Sequence, residues 1–212
     1  TLLASSAASD VYKRQDYLLQ NQGPELDPEE ALQRLSQVQA EKKQGSTAAS
    51  TLNVMRNQLF DDCLAAAAQE PGLFTLTAPT GLGKTLSLFA FAAEHCRIYG
   101  KRRIILILPF LAIIEQNVKD YRKVVPDLLE IHSNAQLDER ARLLSERWDA
   151  PCIVTTSVGF FQPLFSAKPA DCRHLHQLAN SVLVLDEAQS LPPHLLDATL
   201  RTVKLLCTQY GC

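Results

Sequence analysis

No stretch of the 212 residues approaches the roughly 20 consecutive apolar residues that a membrane-spanning helix needs. The small, apolar residues 1–9 have no basic segment before them, so they make a poor signal peptide. Neither sign of charge dominates. With a formal net charge of −2, no global positive field advertises a polyanion, and a nucleic acid would have to be met by a local groove. The six cysteines, at 63, 96, 152, 172, 207 and 212, contain no Cys-x-x-Cys pair and no zinc-like spacing. They read as reduced thiols of a cytoplasmic protein. Cys172-x-His174-x-His176 is the sole soft-ligand cluster and is not read as a metal site. No internal repeat is visible. With 46% hydrophobic and 21% charged residues, the chain has the composition of a soluble globular domain with room for an appended segment.

What is present is organised around residues 73–85, Leu-Phe-Thr-Leu-Thr-Ala-Pro-Thr-Gly-Leu-Gly-Lys-Thr. The apolar, β-branched run 73–77 predicts a strand. A glycine-containing turn follows, and the pattern Leu86, Phe89, Ala90, Ala93 predicts a helix. Strand, loop and helix in this order form the context of a phosphate-binding loop. Gly81 and Gly83 permit a tight turn that aims backbone N–H groups at phosphate oxygens, and the helix offers its positive end to the same anion. Pro79, Thr80, Gly81, Leu82, Gly83, Lys84 and Thr85 are the candidate cradle. Lys84 is expected on the β- and γ-phosphates of ATP and Thr85 on Mg²⁺. Ala78 stands where the strict pattern has glycine.

A second stretch, Ser181-Val-Leu-Val-Leu-Asp-Glu-Ala-Gln189, is an apolar run ending abruptly in two carboxylates. The run reads as a strand of a parallel sheet buried on both faces, and its carboxyl end lies where such sheets bind ligands. Asp186 is expected to hold Mg²⁺ and Glu187 to orient or deprotonate the attacking water. The bland alternative is an acidic helix cap. The phosphate loop about a hundred residues earlier outweighs it, and the pair reads as an NTP hydrolysis site.

Along the chain, residues 1–15 carry no pattern and stay unassigned, with non-native sequence among the readings. Residues 16–50 read as a helix starting after Asp27-Pro28, then a linker, with Leu32, Leu35 and Val38 as a narrow stripe on a surface helix connecting two domains. Residues 52–69 predict a second helix, whose apolar positions are Met55, Leu59, Cys63 and Ala66/Ala67. Gln58 on it is a candidate for an adenine edge. Further strands are expected at 104–108, 128–131, 152–157 and 181–185. Helices are expected from Phe110, across 137–148, from Val158 and after Pro192-Pro193. Lys101-Arg-Arg103 reads as a solubilising turn, and Phe160, Phe161 and Phe165 as core. Strand–helix repetition of this kind predicts an α/β domain with a mainly parallel sheet and right-handed crossovers.

Ala78-Pro-Thr-Gly-Leu-Gly-Lys-Thr85 resembles motif I of superfamily-two helicases, in which Ala commonly takes the first position. Leu108-Pro-Phe-Leu-Ala-Ile-Ile-Glu-Gln-Asn117 resembles motif Ia, Val154-Thr-Thr-Ser-Val-Gly-Phe-Phe161 the Ib/Ic region, and Asp186-Glu-Ala-Gln189 motif II. With Asn53-Val-Met-Arg-Asn-Gln58 and Leu185-Asp-Glu-Ala-Gln-Ser-Leu-Pro-Pro193, residues 50–212 are similar to the CRISPR-associated helicase–nuclease of type I systems. The resemblance implies a P-loop NTPase with a RecA-like fold, the first motor domain (51–212) of an ATP-driven, 3′-to-5′ single-stranded DNA translocase. It also implies an upstream histidine–aspartate nuclease domain and recruitment by a guide-RNA surveillance complex. Carried over by position, Gln189 takes the place usually held by His and would couple the γ-phosphate state to motif III. Pro109, Phe110, Asn117, Thr155 and Thr156 fall in stretches that line the DNA track.

Two departures limit the likeness. No His-Asp pair precedes the linker, and motif III and the second RecA-like domain with its arginine finger are missing. The ends therefore read as cut, and these residues alone are expected to bind nucleotide weakly and hydrolyse little. The competing readings are another superfamily-two motor, for DNA repair or RNA remodelling, and a non-hydrolysing nucleotide-binding fragment.

Overall fold

The computed structural model describes residues 22–44, 51–135, 137–166, 168 and 175–212. The sequence motif Cys172-x-His174-x-His176 lies largely outside them. Four parallel strands form one sheet: β1 (Arg103–Leu108), β2 (Leu129–Ile131), β3 (Cys152–Thr156) and β4 (Ser181–Leu185), in the order β2-β3-β1-β4. All six residues of β1 are buried, as a central strand covered on both faces requires. The register pairs Leu108 with Thr156 and Ile107 with Leu185, so the carboxyl ends of these strands are level along one edge. The α/β expectation with a parallel sheet holds.

The predicted strand at 73–77 does not form. Those residues run extended but make no ladder, which leaves β4 at the edge of the sheet. Phe74, Leu76 and Ala78 are half-buried while Leu73, Thr75 and Thr77 face outward. The segment is fastened by side chains instead. Phe74 packs on Phe91, with ring centroids 4.9 Å apart, and on His95 at 5.8 Å.

Helices α1 (Pro28–Gln44), α2 (Thr51–Ala66), α3 (Lys84–Tyr99) and α4 (Leu111–Val124) surround a core of Phe89, Ile104, Leu106, Ile114, Tyr121 and Val154. On the other face, α5 (Glu139–Arg147), α6 (Ser157–Leu164), α7 (Leu175–Leu178) and α8 (Pro193–Tyr210) enclose Ile105, Ile107, Ile153, Phe160 and Val203. Asp27 caps α1 as read from the sequence, its Oδ1 accepting the Glu30 N–H at 3.0 Å. The apolar stripe of α1 is buried, with Ala31, Leu35 and Val38 in the main core and the opposite face exposed. On α2 the buried residues are Phe60 and Cys63, with Ala67 buried just past its end and Leu59 half-buried; the expected face therefore holds from Leu59 onward and fails at Met55, which is exposed.

Lys101-Arg-Arg103 is not a solvated turn either. Arg103 is 5% exposed at the start of β1; its guanidinium donates to the Trp148 carbonyl and lies 3.8 Å from Asp149. Asp149 also pairs with Arg147 at 3.4 Å and accepts the Gly23 N–H at 3.0 Å, tying the stretch before α1 to the amino edge of the sheet. Phe160 and Phe161 are core, but Phe165 is 60% exposed. The described cysteines are free thiols, and burial pushes Cys96 up to about 12. Among the described residues no helix is long and apolar enough to cross a membrane.

Candidate nucleotide and nucleic-acid site

The loop 78–83 ends on Gly83, which caps α3 in the left-handed conformation, φ 80°, and Gly81 has φ 85°. Residues with a Cβ rarely adopt this backbone, so both glycines are required by the turn itself. Leu82 between them is buried, which anchors the apex. The Gly83 carbonyl receives both the N–H and the hydroxyl of Ser87 at 3.2 Å, starting the helix without any side-chain cap. The first N–H groups of α3 therefore keep their donor capacity for an anion.

The second wall is built by β4. The Asp186 N–H donates to the Ile107 carbonyl at 3.0 Å, extending the sheet by one residue and fixing where the carboxylates begin. The Asp186 Oδ1 accepts the Glu187 N–H at 3.0 Å. Glu187 adopts the left-handed region, φ 52° and ψ 43°, a conformation that costs a non-glycine residue about 1–2 kcal/mol. Its side chain is held from two directions. The Lys84 ammonium donates to Oε1 at 3.2 Å, across 103 positions of sequence, and the Gln189 amide donates to Oε2. Burial, reinforced by the charge of Glu187, raises the Asp186 carboxyl above its usual range, against the opposing pull of the Glu187 N–H and Lys84. A charged Asp186 is thus only partly compensated by the protein. A hydroxyl at Thr85 and carboxylates at 186 and 187 are hard oxygen donors, the set that suits Mg²⁺ held by one or two carboxylates and phosphate oxygens.

The sequence reading singled out residues that the structure disperses. Gln58 is exposed on α2, with its amide donating to Asp62 of the same helix at 2.8 Å. Its near neighbour Arg56 reaches the loop instead, donating through Nε to the Gly81 carbonyl at 2.9 Å. Nothing in the spacing of Asn53-Val-Met-Arg-Asn-Gln58 distinguishes the two; the helix rotation decides it. Pro109 and the 60%-exposed Phe110 lead into α4 at the carboxyl edge, and Asn117 is half-buried two turns on. Thr155 is fully buried, its hydroxyl donating to the Ile131 carbonyl at 2.8 Å, so it bridges β3 to β2. Thr156 caps α6 by accepting the Gly159 N–H at 2.9 Å. Gly159 was not marked by the sequence: a Cβ there would lie 2.6 Å from the Thr155 hydroxyl oxygen.

A level edge of parallel strands, a glycine-turned loop opening a helix on one side of it and a carboxylate pair on the other, define the class as a P-loop α/β domain. The chain matches the DEAD/DEAH box helicases over residues 46–206, more than half its length, and belongs to that family. Family membership brings nucleotide binding and nucleic-acid binding with it. The chain is also similar to the CRISPR-associated nuclease/helicase Cas3 of Haloferax volcanii, with 30% identity over 190 residues. That match takes in 73% of this chain and 20% of the relative, so the chain spans about a fifth of the length of the curated protein it matches.

Proposed function

We propose that the chain is the ATP-binding first motor domain of a CRISPR-associated DNA helicase. The observation that carries the reading is the Lys84–Glu187 contact at 3.2 Å, which joins the phosphate loop to the carboxylate pair. Residues 79–85 cradle the phosphates of ATP. In the nucleotide complex Lys84 exchanges Glu187 for a β- or γ-phosphate oxygen, and Glu187 is released to orient or deprotonate water. Thr85 and Asp186 would hold Mg²⁺, which neutralises developing charge on the phosphates when bound. Gln189 couples the state of the γ-phosphate to its surroundings, a role supported by its bond to Glu187. Pro109, Phe110, Asn117 and Thr156 belong to the single-stranded DNA track, with Thr155 supporting it from beneath through the β3–β2 bridge. Gln58 is assigned to the adenine edge, which requires it to leave Asp62.

In the whole protein this domain works with a second RecA-like domain, an upstream nuclease domain and a guide-RNA surveillance complex. Both the similarity to Cas3 and family membership support that context. The test is ATP turnover by a form carrying both motor domains, with and without single-stranded DNA or RNA, beside Glu187→Gln. Stimulation by DNA that the variant loses is the expected result. Stimulation by RNA alone would make it an RNA motor, and turnover indifferent to nucleic acid would overturn the motor reading.

A further inference from the structure

We infer that Arg56 is a positioning residue of the phosphate loop, setting the orientation of the Gly81–Leu82 peptide from outside; this rests on the nucleotide-site reading above. The Gly81 carbonyl accepts from Arg56 Nε at 2.9 Å. The peptide is trans, as are all peptides among the described residues, so the Leu82 N–H points away from the bonded carbonyl. Holding that carbonyl outward therefore turns the Leu82 N–H toward the hollow of the loop, where an anion would accept it. A flip of this peptide turns ψ of Gly81 and φ of Leu82, and glycine, with no Cβ, puts up little resistance on its own side. The buried Leu82 side chain anchors the apex, and Arg56 supplies the bond that fixes which way the Gly81 carbonyl faces.

The arm that carries Arg56 is fixed at both ends. Nη1 donates to Asn53 Oδ1 at 3.3 Å, one turn earlier on α2, which steers the guanidinium plane. Phe60 and Cys63 are buried on the helix's inner face. Just past its end, His95 Nδ1 and the Tyr99 hydroxyl donate to the carbonyls of Ala67 and Ala68, both at 2.9 Å. Burial holds His95 below its usual range, so the ring stays neutral and its bond to Ala67 persists at neutral pH. Nε and Nη1 thus tie the guanidinium to the loop on one side and to its own helix on the other.

The test is titration of a fluorescent ATP analogue and competition by inorganic tripolyphosphate, which has no base, against wild type, Arg56→Ala, Arg56→Lys and Lys84→Ala. Arg56→Ala is expected to weaken both probes equally by about tenfold, the loss of one charge-assisted bond that orders the loop. Arg56→Lys restores most of it, because one donor suffices for Gly81, and the melting temperature stays near wild type. Weakening of the ATP analogue with tripolyphosphate unaffected would place Arg56 at the base and overturn the proposal. So would unchanged binding in Arg56→Ala beside lost binding in Lys84→Ala. Unchanged binding in Lys84→Ala would instead remove the nucleotide-site reading on which the inference stands.

Discussion

Replacing Gly159 by Ala inverts an ordinary expectation. Inside a helix the exchange usually stabilises, by up to about 1 kcal/mol. Here the new Cβ would stand 2.6 Å from the Thr155 hydroxyl oxygen, 3.2 Å from that of Thr156 and 3.7 Å from the Ile131 carbonyl. Thr155 has nowhere to go: it is fully buried, β-branched and bonded to Ile131 at 2.8 Å. Either α6 lifts from the sheet, an overpacking cost of about 1–3 kcal/mol, or Thr155 rotates and leaves its buried hydroxyl unpaired at a similar cost. Subtracting the helix gain leaves up to about 2 kcal/mol of destabilisation, a fall in melting temperature of up to roughly 8 °C for a domain of this size. Thermal unfolding followed by circular dichroism reads it directly. Thr155→Ala removes the oxygen in the way, so the double variant should lose less than the sum of the singles. A rise in melting temperature in Gly159→Ala, or strict additivity, refutes the argument.

Glu187→Gln removes the partner that Lys84 must leave; an exposed or half-buried ion pair of this kind is worth roughly 0.2–1 kcal/mol, so ATP should bind up to about fivefold tighter while hydrolysis is lost. Weaker binding in a fluorescence titration would contradict the exchange. Asp186 has its folded pKa raised, so its contribution to stability is full below the unfolded carboxylate range and is lost as pH rises through the folded value. Asp186→Asn should therefore melt higher than wild type at neutral pH without nucleotide, with a difference that narrows in acid; a difference independent of pH would deny the linkage. Asp149→Ala strips the buried Arg103 of its counter-charge and Gly23 of its acceptor, and urea unfolding should show a loss of about 3 kcal/mol. A loss under about 1 kcal/mol would mean that Arg103 is sustained by Trp148 alone. Backbone amides at 74–78 should exchange faster than those of β1, since the structure gives them no ladder; equal protection in hydrogen exchange would place them in the sheet.

What the sequence made legible was whatever is encoded locally. The β4 run with its terminal carboxylates, Gly81 and Gly83 at the turn, and Asp27 before Pro28 are patterns within a few residues, and each lies where its pattern indicates. The strand expected at 73–77 has the right residue types, but a strand exists only through a partner, and pairing is a long-range property. Arg103 looked like a charged turn because its compensation, Asp149 and the Trp148 carbonyl, lies more than forty positions away. Thr155 looked like a surface donor for the same reason: Ile131, which takes its hydroxyl, is on another strand. Arg56 and Gln58 differ in which side of α2 they occupy, and which of the two reaches the phosphate loop depends on contacts some twenty-five positions away, as in Arg56 to Gly81.

The two walls of the candidate site are fastened by different means. Backbone bonds from β1 secure the carboxylates, whereas side chains alone, the Phe74 ring, the buried Leu82 and the Arg56 guanidinium, hold the phosphate loop and the segment leading into it. Warming such a construction does not loosen it evenly. The hinged wall gives way while the welded one stands, so nucleotide affinity should fade at temperatures where the sheet still gives its full spectroscopic signal.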